Sequence, residues 1–245
     1  MPMFFLDTPE PGIARLTIDA PARRNAIPVA EWDRLAATLA ALPADCRVLL
    51  IGGTRDFSAG ADLSEFDGFR HDPAAASRFR QAMRAGIDAL AAVPVPVVAV
   101  IAGGCYGAGV ALALAADIRV AGEKAQFAVT PARLGIGYPA EDIARLAALV
   151  GRGQAARMLY AAEVLDAHRA AAIGLVETVA ADVWEEAMQL ARQIAGNSTR
   201  STRMLKSVLN DAAGNADAAF DALFAGPDLA EGLAAHRERR TARFA

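Results

Sequence analysis

Phe57-Ser58-Ala59-Gly60-Ala61-Asp62-Leu63 and Gly103-Gly104-Cys105-Tyr106-Gly107-Ala108-Gly109 are two turns built from small residues. Each follows an apolar run, 48–51 and 95–101, and each precedes a helix-like pattern. Small residues let backbone N–H groups approach a ligand closely, and a helix start aims those groups at negative charge. Two such turns in one domain could hold a single oxygen from two sides. That is the arrangement needed to stabilise an oxyanion.

Outward from these turns, strands alternate with helices, which argues an α/β fold. Residues 12–18 read as a strand, 28–42 as a helix stopped by Pro43, and 48–51 as a short buried strand ended by Gly52-Gly53. Asp72-Pro73 opens a long helix to about residue 92. The run 95–101 is the second buried strand, followed by a helix over 108–116 and a strand at 118–121. From Gly151 the pattern is mostly helical, with a possible strand at 176–179 and helices at 182–195 and 201–213. An amphipathic helix with a basic end is expected over 228–244.

The uncharged stretch 89–116 raises the question of a membrane span. Pro94, Pro96 and four glycines interrupt it and alanine dominates it, so a buried strand–turn–helix is the better reading. The start of the chain lacks the basic and apolar regions of a secretory signal. A net charge of −3 gives no general basis for nucleic-acid binding. Two cysteines and three histidines, without CxxC or paired-His spacing, suggest neither a disulfide framework nor a metal site. A reduced, cytoplasmic setting is expected. At 54% hydrophobic residues, the 245-residue chain can bury a sizeable core.

The first turn resembles the first signature of the crotonase superfamily, the enoyl-CoA hydratase/isomerase family. The second turn, continued through Val110-Ala111-Leu112-Ala113-Leu114-Ala115-Ala116-Asp117, resembles its second signature. Arg24-Asn25-Ala26-Ile27 and Ala121-Gly122-Glu123-Lys124-Ala125-Gln126-Phe127 fit the same family in the same order, so the likeness covers nearly the whole chain. It implies a crotonase-like spiral of ββα units over residues 1–190, then a C-terminal helical region over 191–245 used in assembling a trimer or dimer of trimers. It implies an acyl-CoA substrate and no cofactor beyond the coenzyme A moiety of that substrate.

The resemblance also implies roles. The N–H groups of Ala61 and Ala108 would be the two oxyanion donors. Arg23, Arg24, Ala59, Asp62, Leu63, Ser64 and Gly107 would border the coenzyme A path, with Asp62 better read as a helix N-terminal acid than as a catalytic one. Arg237, Arg239 and Arg240 form a charged helix face, and the family places such a helix near the coenzyme A phosphates. Hydratases of the family use two glutamates as acid and base on water. In register these fall at Ala111 and Pro131, neither of which can carry a proton.

Thr130-Pro131-Ala132-Arg133-Leu134-Gly135-Ile136-Gly137-Tyr138 resembles the matching stretch of methylmalonyl-CoA decarboxylase, a crotonase that also lacks both glutamates. That enzyme carries a tyrosine at the position of Tyr138 and a histidine where this chain has Ala61. Tyr138 could orient a carboxylate or donate a proton. Glu141 and Asp142 read either as helix N-terminal acids or as a relocated base. Decarboxylation or isomerisation is therefore favoured over hydration. A non-catalytic acyl-CoA-binding member of the family is the alternative. A dinucleotide-binding reading is disfavoured because the glycine spacing is not G-x-G-x-x-G.

Overall fold

In the computed structural model, residues 3–210 and 214–244 are described. The chain opens with a hairpin of β1 (Phe4–Glu10) and β2 (Ile13–Ile18), turned at Gly12 with φ +76°. A two-residue strand β3 (Ala26–Ile27) leads into α1 (Val29–Ala40). β4 (Val48–Gly53) follows, then the short β5 (Gly60–Ala61), α2 (Phe66–His71) and α3 (Pro73–Ala91). The next unit holds β6 (Val97–Ile101), β7 (Gly104–Tyr106) and α4 (Ala108–Leu114). After β8 (Ile118–Gly122) and β9 (Gln126–Ala128) comes α5 (Ala140–Tyr160), broken at Gly151 where φ is +75°. β10 (Leu165–Asp166), α6 (Ala167–Ala172) and β11 (Thr178–Ala180) precede α7 (Val183–Ala195), α8 (Thr199–Leu209), α9 (Ala216–Phe224) and α10 (Pro227–Glu238).

The main sheet runs β1-β2-β4-β6-β8-β11, antiparallel at the hairpin and parallel elsewhere. Its central strands are continuous apolar runs because both faces are covered. In β4, Leu49 and Ile51 face the larger core with Trp32, Leu35, Ile87 and Leu90, whereas Val48 and Leu50 face α7 through Val183, Ala187 and Ala191. Two small sheets, β10-β9-β7 and β3-β5, stand beside it. α3 starts where expected: the Asp72 side chain accepts from the N–H groups of Ala74 and Ala75, and Pro73 occupies the first turn.

Two expectations need correction, and one strand carries no clear signal in the sequence. Residue 190 cannot divide the chain, because α7 crosses it and packs on the sheet; the C-terminal helices begin after Ala195. The last helix ends at Glu238, where Arg239 turns left-handed at φ +54°, and does not reach residue 244. β1 was not read from the sequence: Pro9 and mostly exposed side chains mark it as a sheet edge, where proline costs no ladder bond. The end of the helix expected over 201–213 falls partly on 211–213, outside the described residues.

The C-terminal helices are tied to the sheet by buried polar groups. Lys206 Nζ donates to the Val95 carbonyl at 2.9 Å and to Asp117 at 2.7 Å, and the Val97 N–H donates to that same carboxylate at 2.7 Å. Among the described residues, no helix is long and apolar enough to cross a membrane.

Candidate active site

Three segments far apart in sequence are knitted together beside the sheet. The Ser58 N–H donates to the Gly104 carbonyl at 3.1 Å, and the Tyr106 N–H returns a bond to the Ser58 carbonyl at 2.9 Å. The two small-residue turns are thus directly hydrogen-bonded. Arg24 and Asn25 join them. The Ala59 N–H donates to the Arg24 carbonyl at 2.9 Å, and Ser58 Oγ donates to the Asn25 carbonyl at 2.7 Å. Both Arg24 and Asn25 hold positive φ, +52° and +58°, which places them in a turn that these bonds maintain.

Asp56 completes the junction. Its carboxylate accepts from Arg24 Nε and Nη2 at 3.1 and 3.0 Å and from the Gly104 N–H at 2.8 Å. The Arg24 guanidinium holds the Asp56 carboxyl below its ordinary range, against a smaller opposing effect of burial. Nothing in the local sequence marks Asp56, because its partners lie 32 and 48 residues away.

The turns then present their backbone to one cavity. Ala61 lies in β5 rather than at a helix start, ahead of a short 3-10 turn at Leu63–Glu65. β5 pairs in parallel with β3, and the Asp62 N–H donates to the Ile27 carbonyl at 3.1 Å. Successive N–H groups of a strand point to opposite sides, so the Ala61 N–H faces away from β3. Ala108 is the first residue of α4, and its N–H has no acceptor within that helix. Gly107 reaches this position at φ +51° and ψ −119°, a region that suits only glycine. Gly60, at φ +94°, is equally constrained: a Cβ there would stand 2.6 Å from the Tyr106 carbonyl oxygen and 3.0 Å from the Ala108 nitrogen.

Ala59, Ala61, Gly107 and Ala108 line a narrow cavity of about 100 Å³ together with Pro131 and Tyr138. Among its lining side chains, only Thr130 and Tyr138 carry polar atoms; no carboxylate or imidazole borders it. Ala111 is fully buried within α4, and Pro131 opens a 3-10 turn on the cavity wall. The narrow cavity continues into a chamber of about 740 Å³, sharing Leu63, Phe66, Phe79, Met83 and Tyr138 with it. Phe66, Phe69 and Phe79 line this chamber as a mutual cluster with ring centroids 5.3–5.4 Å apart. Sequence reading missed these rings. Their signal was present in the i, i+3 spacing of Phe66 and Phe69 and the i, i+4 spacing of Phe79 and Met83.

The other expected residues fall into two groups. Asp62 caps the 3-10 turn: it accepts from the Ser64 N–H at 3.0 Å and hydroxyl at 2.7 Å, and pairs with Arg23 at 2.9 Å. The Ser64 hydroxyl, then Arg23, keep its carboxyl below the ordinary range, so it is a structural acid there. Leu63 lines both cavities. Arg23 and Arg24 keep half-exposed side chains paired with Asp62 and Asp56 and line neither cavity, Arg24 lying 5.4 Å from the Tyr106 ring centre.

Glu141 and Asp142, read from the sequence as helix acids or a relocated base, line neither cavity. Glu141 is exposed in the first turn of α5 and borders neither cavity. Asp142 is fully buried, lines neither cavity, and pairs with Arg84 of α3 at 2.7 Å. Burial raises its carboxyl above the ordinary range against the pull of Arg84. The helical turn after Pro139 carries both acids off the cavity wall. Arg240 is already held by Glu231 and Glu238. His71, His168 and His236 are all exposed. Burial pushes the Cys105 thiol up, which leaves it inert. Among the described residues, no cluster of His, Cys, Asp or Glu could hold a metal ion.

Residues 8–245 match the family model described as enoyl-CoA hydratase/isomerase. The chain belongs to the enoyl-CoA hydratase/isomerase family. It is an enzyme of that family. It is 36% identical over 195 residues to the protein named "Probable enoyl-CoA hydratase echA17" of Mycolicibacterium paratuberculosis, covering 78% of this chain and 70% of that protein. It is 34% identical over 212 residues to the mitochondrial enoyl-CoA hydratase of Pongo abelii, covering 82% and 72%. The crystal structure of an enoyl-CoA hydratase/carnithine racemase from Magnetospirillum magneticum superposes with a TM-score of 0.93 at 30% identity, over 100% of this chain and 96% of that one. An enoyl-CoA hydratase structure from Bacillus anthracis gives 0.92 at 28% identity, over 99% and 98%. The mixed α/β architecture is therefore the crotonase fold expected from the paired turns.

Proposed function

We propose that this chain binds an acyl-CoA thioester with its carbonyl oxygen between the N–H groups of Ala61 and Ala108, and that its chemistry passes through the thioester enolate. The observation that supports this reading is the narrow cavity, which brings Ala61 and Ala108 of the two turns to one wall and is bordered by no carboxylate or imidazole. Such a site stabilises negative charge without a strong base. Two preorganised donors suit an enolate, and loss of one such donor costs about 10²–10³ in rate.

The lack of a base on the wall of the narrow cavity decides between reactions; Asp67 borders only the outer chamber, with its side chain exposed. Hydration needs a base on water and an acid at the α-carbon. Isomerisation needs a base to take one proton and return it. Decarboxylation needs neither: the bond to the carboxylate breaks, its electron pair enters the thioester, carbon dioxide leaves and solvent protonates the enolate. Decarboxylation of a malonyl-type thioester is the favoured activity, with isomerisation second. No cofactor beyond the coenzyme A of the substrate is required. The half-exposed guanidinium groups of Arg23 and Arg24, on the segment hydrogen-bonded to the first turn, suit the anionic end of coenzyme A.

The apolar side chains left exposed on the C-terminal helices, among them Leu205, Leu209, Phe220, Phe224 and Leu233, support assembly into a trimer or dimer of trimers. The free, buried thiols of Cys46 and Cys105 suit a cytoplasmic setting. The test is a parallel assay of purified protein on malonyl-type, β,γ-enoyl and crotonyl thioesters. Decarboxylation exceeding crotonyl-CoA hydration by at least about 100-fold supports the reading. Efficient hydration overturns it, and tight thioester binding without any turnover establishes the non-catalytic alternative.

A further inference from the structure

The Tyr138 ring lines both cavities, but its hydroxyl turns away into the first turn of α4 and donates to the Gly107 carbonyl oxygen at 3.0 Å. That oxygen and the Ala108 N–H belong to one peptide unit. In a planar trans peptide they point in opposite directions, so fixing the oxygen fixes the direction of the N–H. The same oxygen also accepts from the Val110 N–H at 3.0 Å and the Ala111 N–H at 3.4 Å, while the Gly107 N–H donates to the Ala128 carbonyl at 2.9 Å. The clamp matters most here, because glycine has the widest choice of backbone conformations.

A second effect is electronic. A donor on the carbonyl draws density toward oxygen and strengthens the N–H of the same amide, by about 10–30% per bond in a chain of hydrogen bonds. The phenol is suited to this. Burial, and then the charges of Asp142 and Cys105, push its pKa well above the usual tyrosine value, outweighing the Ala111 amide and Arg84. It therefore remains a neutral donor throughout the working range, and its hydroxyl is already committed to Gly107.

We propose that Tyr138 is a positioning residue: it orients and polarises the Gly107–Ala108 peptide so that the Ala108 N–H acts as an oxyanion donor, and it gives no proton to substrate. This rests on the enolate reading above, and the experiment separates the two. The probe is hexanoyl-CoA labelled with ¹³C at the thioester carbonyl, which has no carboxylate to lose and no double bond to hydrate. Difference infrared spectroscopy reads its carbonyl stretch when bound. Wild-type protein is expected to lower the frequency relative to free thioester. Tyr138→Phe is expected to bind within about threefold and to lose at least half of that shift. Its kcat on the best substrate should fall about 10-fold or more with KM little changed, the pattern of an interaction made in the transition state.

A Tyr138→Phe protein with the full shift but lost turnover overturns the proposal, since the hydroxyl would then act on substrate. An unchanged shift with unchanged turnover overturns it as well. Absence of any shift in the wild type defeats the oxyanion reading itself, and this inference with it. If Tyr138→Phe fails to fold, 3-fluorotyrosine at position 138 replaces it. This stronger donor keeps the ring in place and should enlarge the shift; no enlargement overturns the proposal.

Discussion

Asp56 and Gly104 are joined by a 2.8 Å hydrogen bond from backbone N–H to carboxylate, across 48 residues of chain. The bond anchors the start of the second turn to the residue just before the first, while Arg24 grips the same carboxylate. Asp56→Ala would leave the buried Gly104 N–H unpaired and Arg24 without its partner, at a cost of about 2 kcal/mol in denaturant unfolding. The pH dependence has a definite sign. The folded carboxyl lies below its unfolded value of about 3.9, so its contribution is complete above that pH and is lost as the solution is acidified below it. The gap in Tm between wild type and Asp56→Ala should be constant from pH 5 to 7 and shrink below about pH 4. A gap that widens in acid would contradict this.

Gly60 separates the two turns by the width of a hydrogen atom where a methyl would need room. Gly60→Ala places Cβ 2.6 Å from the Tyr106 carbonyl and 3.0 Å from the Ala108 nitrogen, at φ +94°. It should destabilise the protein by about 2 kcal/mol or more and weaken thioester binding at least 10-fold. Gly68→Ala is the control. A Cβ there meets nothing within 4 Å, inside α2, and the change should be neutral or stabilise by up to about 1 kcal/mol. Equal effects of the two changes on Tm would remove the steric argument.

Glu141 and Asp142 differ in consequence despite being neighbours. Glu141→Gln should leave turnover within about twofold, because the side chain is exposed and borders no cavity. Asp142→Ala removes the fully buried partner of Arg84, leaving it the half-exposed Asp88 at 2.9 Å, and should cost about 2 kcal/mol of stability. Unfolding curves of the two variants check both statements. A stable Asp142→Ala protein with abolished turnover would return Asp142 to the chemistry.

Met83 lines both the narrow cavity and the phenylalanine chamber. Met83→Trp should obstruct the passage between them. Thioesters with long or bulky acyl groups should lose about 10-fold or more in binding, while acetyl-CoA binding is unchanged. Calorimetry across a series of chain lengths measures this. A uniform loss over the series would mean that the acyl group does not enter the chamber.

The sequence made legible whatever depended on neighbouring residues. Runs 48–51 and 95–101 announced buried strands, the glycine clusters announced the turns after them, and Asp72-Pro73 announced the start of α3. What escaped depends on distance along the chain or on a single backbone angle. The Asp56–Gly104 clamp joins separated segments, and α10 stops where Arg239 turns left-handed. Tyr138 stands out in the sequence and lines both cavities, but the direction of its hydroxyl follows from how the loop before α5 folds over α4. The two acids after it shared its neighbourhood in sequence, yet one turn of helix took them elsewhere.

The strand order of the main sheet, β1-β2-β4-β6-β8-β11, is also the order in which the strands occur along the chain. Each strand joins the free edge left by its predecessor, and none is inserted between two already paired. The sheet can thus grow in one direction as the polypeptide leaves the ribosome, where synthesis exposes about 5–20 residues each second. Lys206 emerges late and meets Asp117 at the base of a sheet already laid down. Nascent chains long enough for Gly122 to have left the ribosome should already protect the amides of β4 and β6 from hydrogen exchange, and Lys206→Met should leave that early protection untouched while weakening the finished protein.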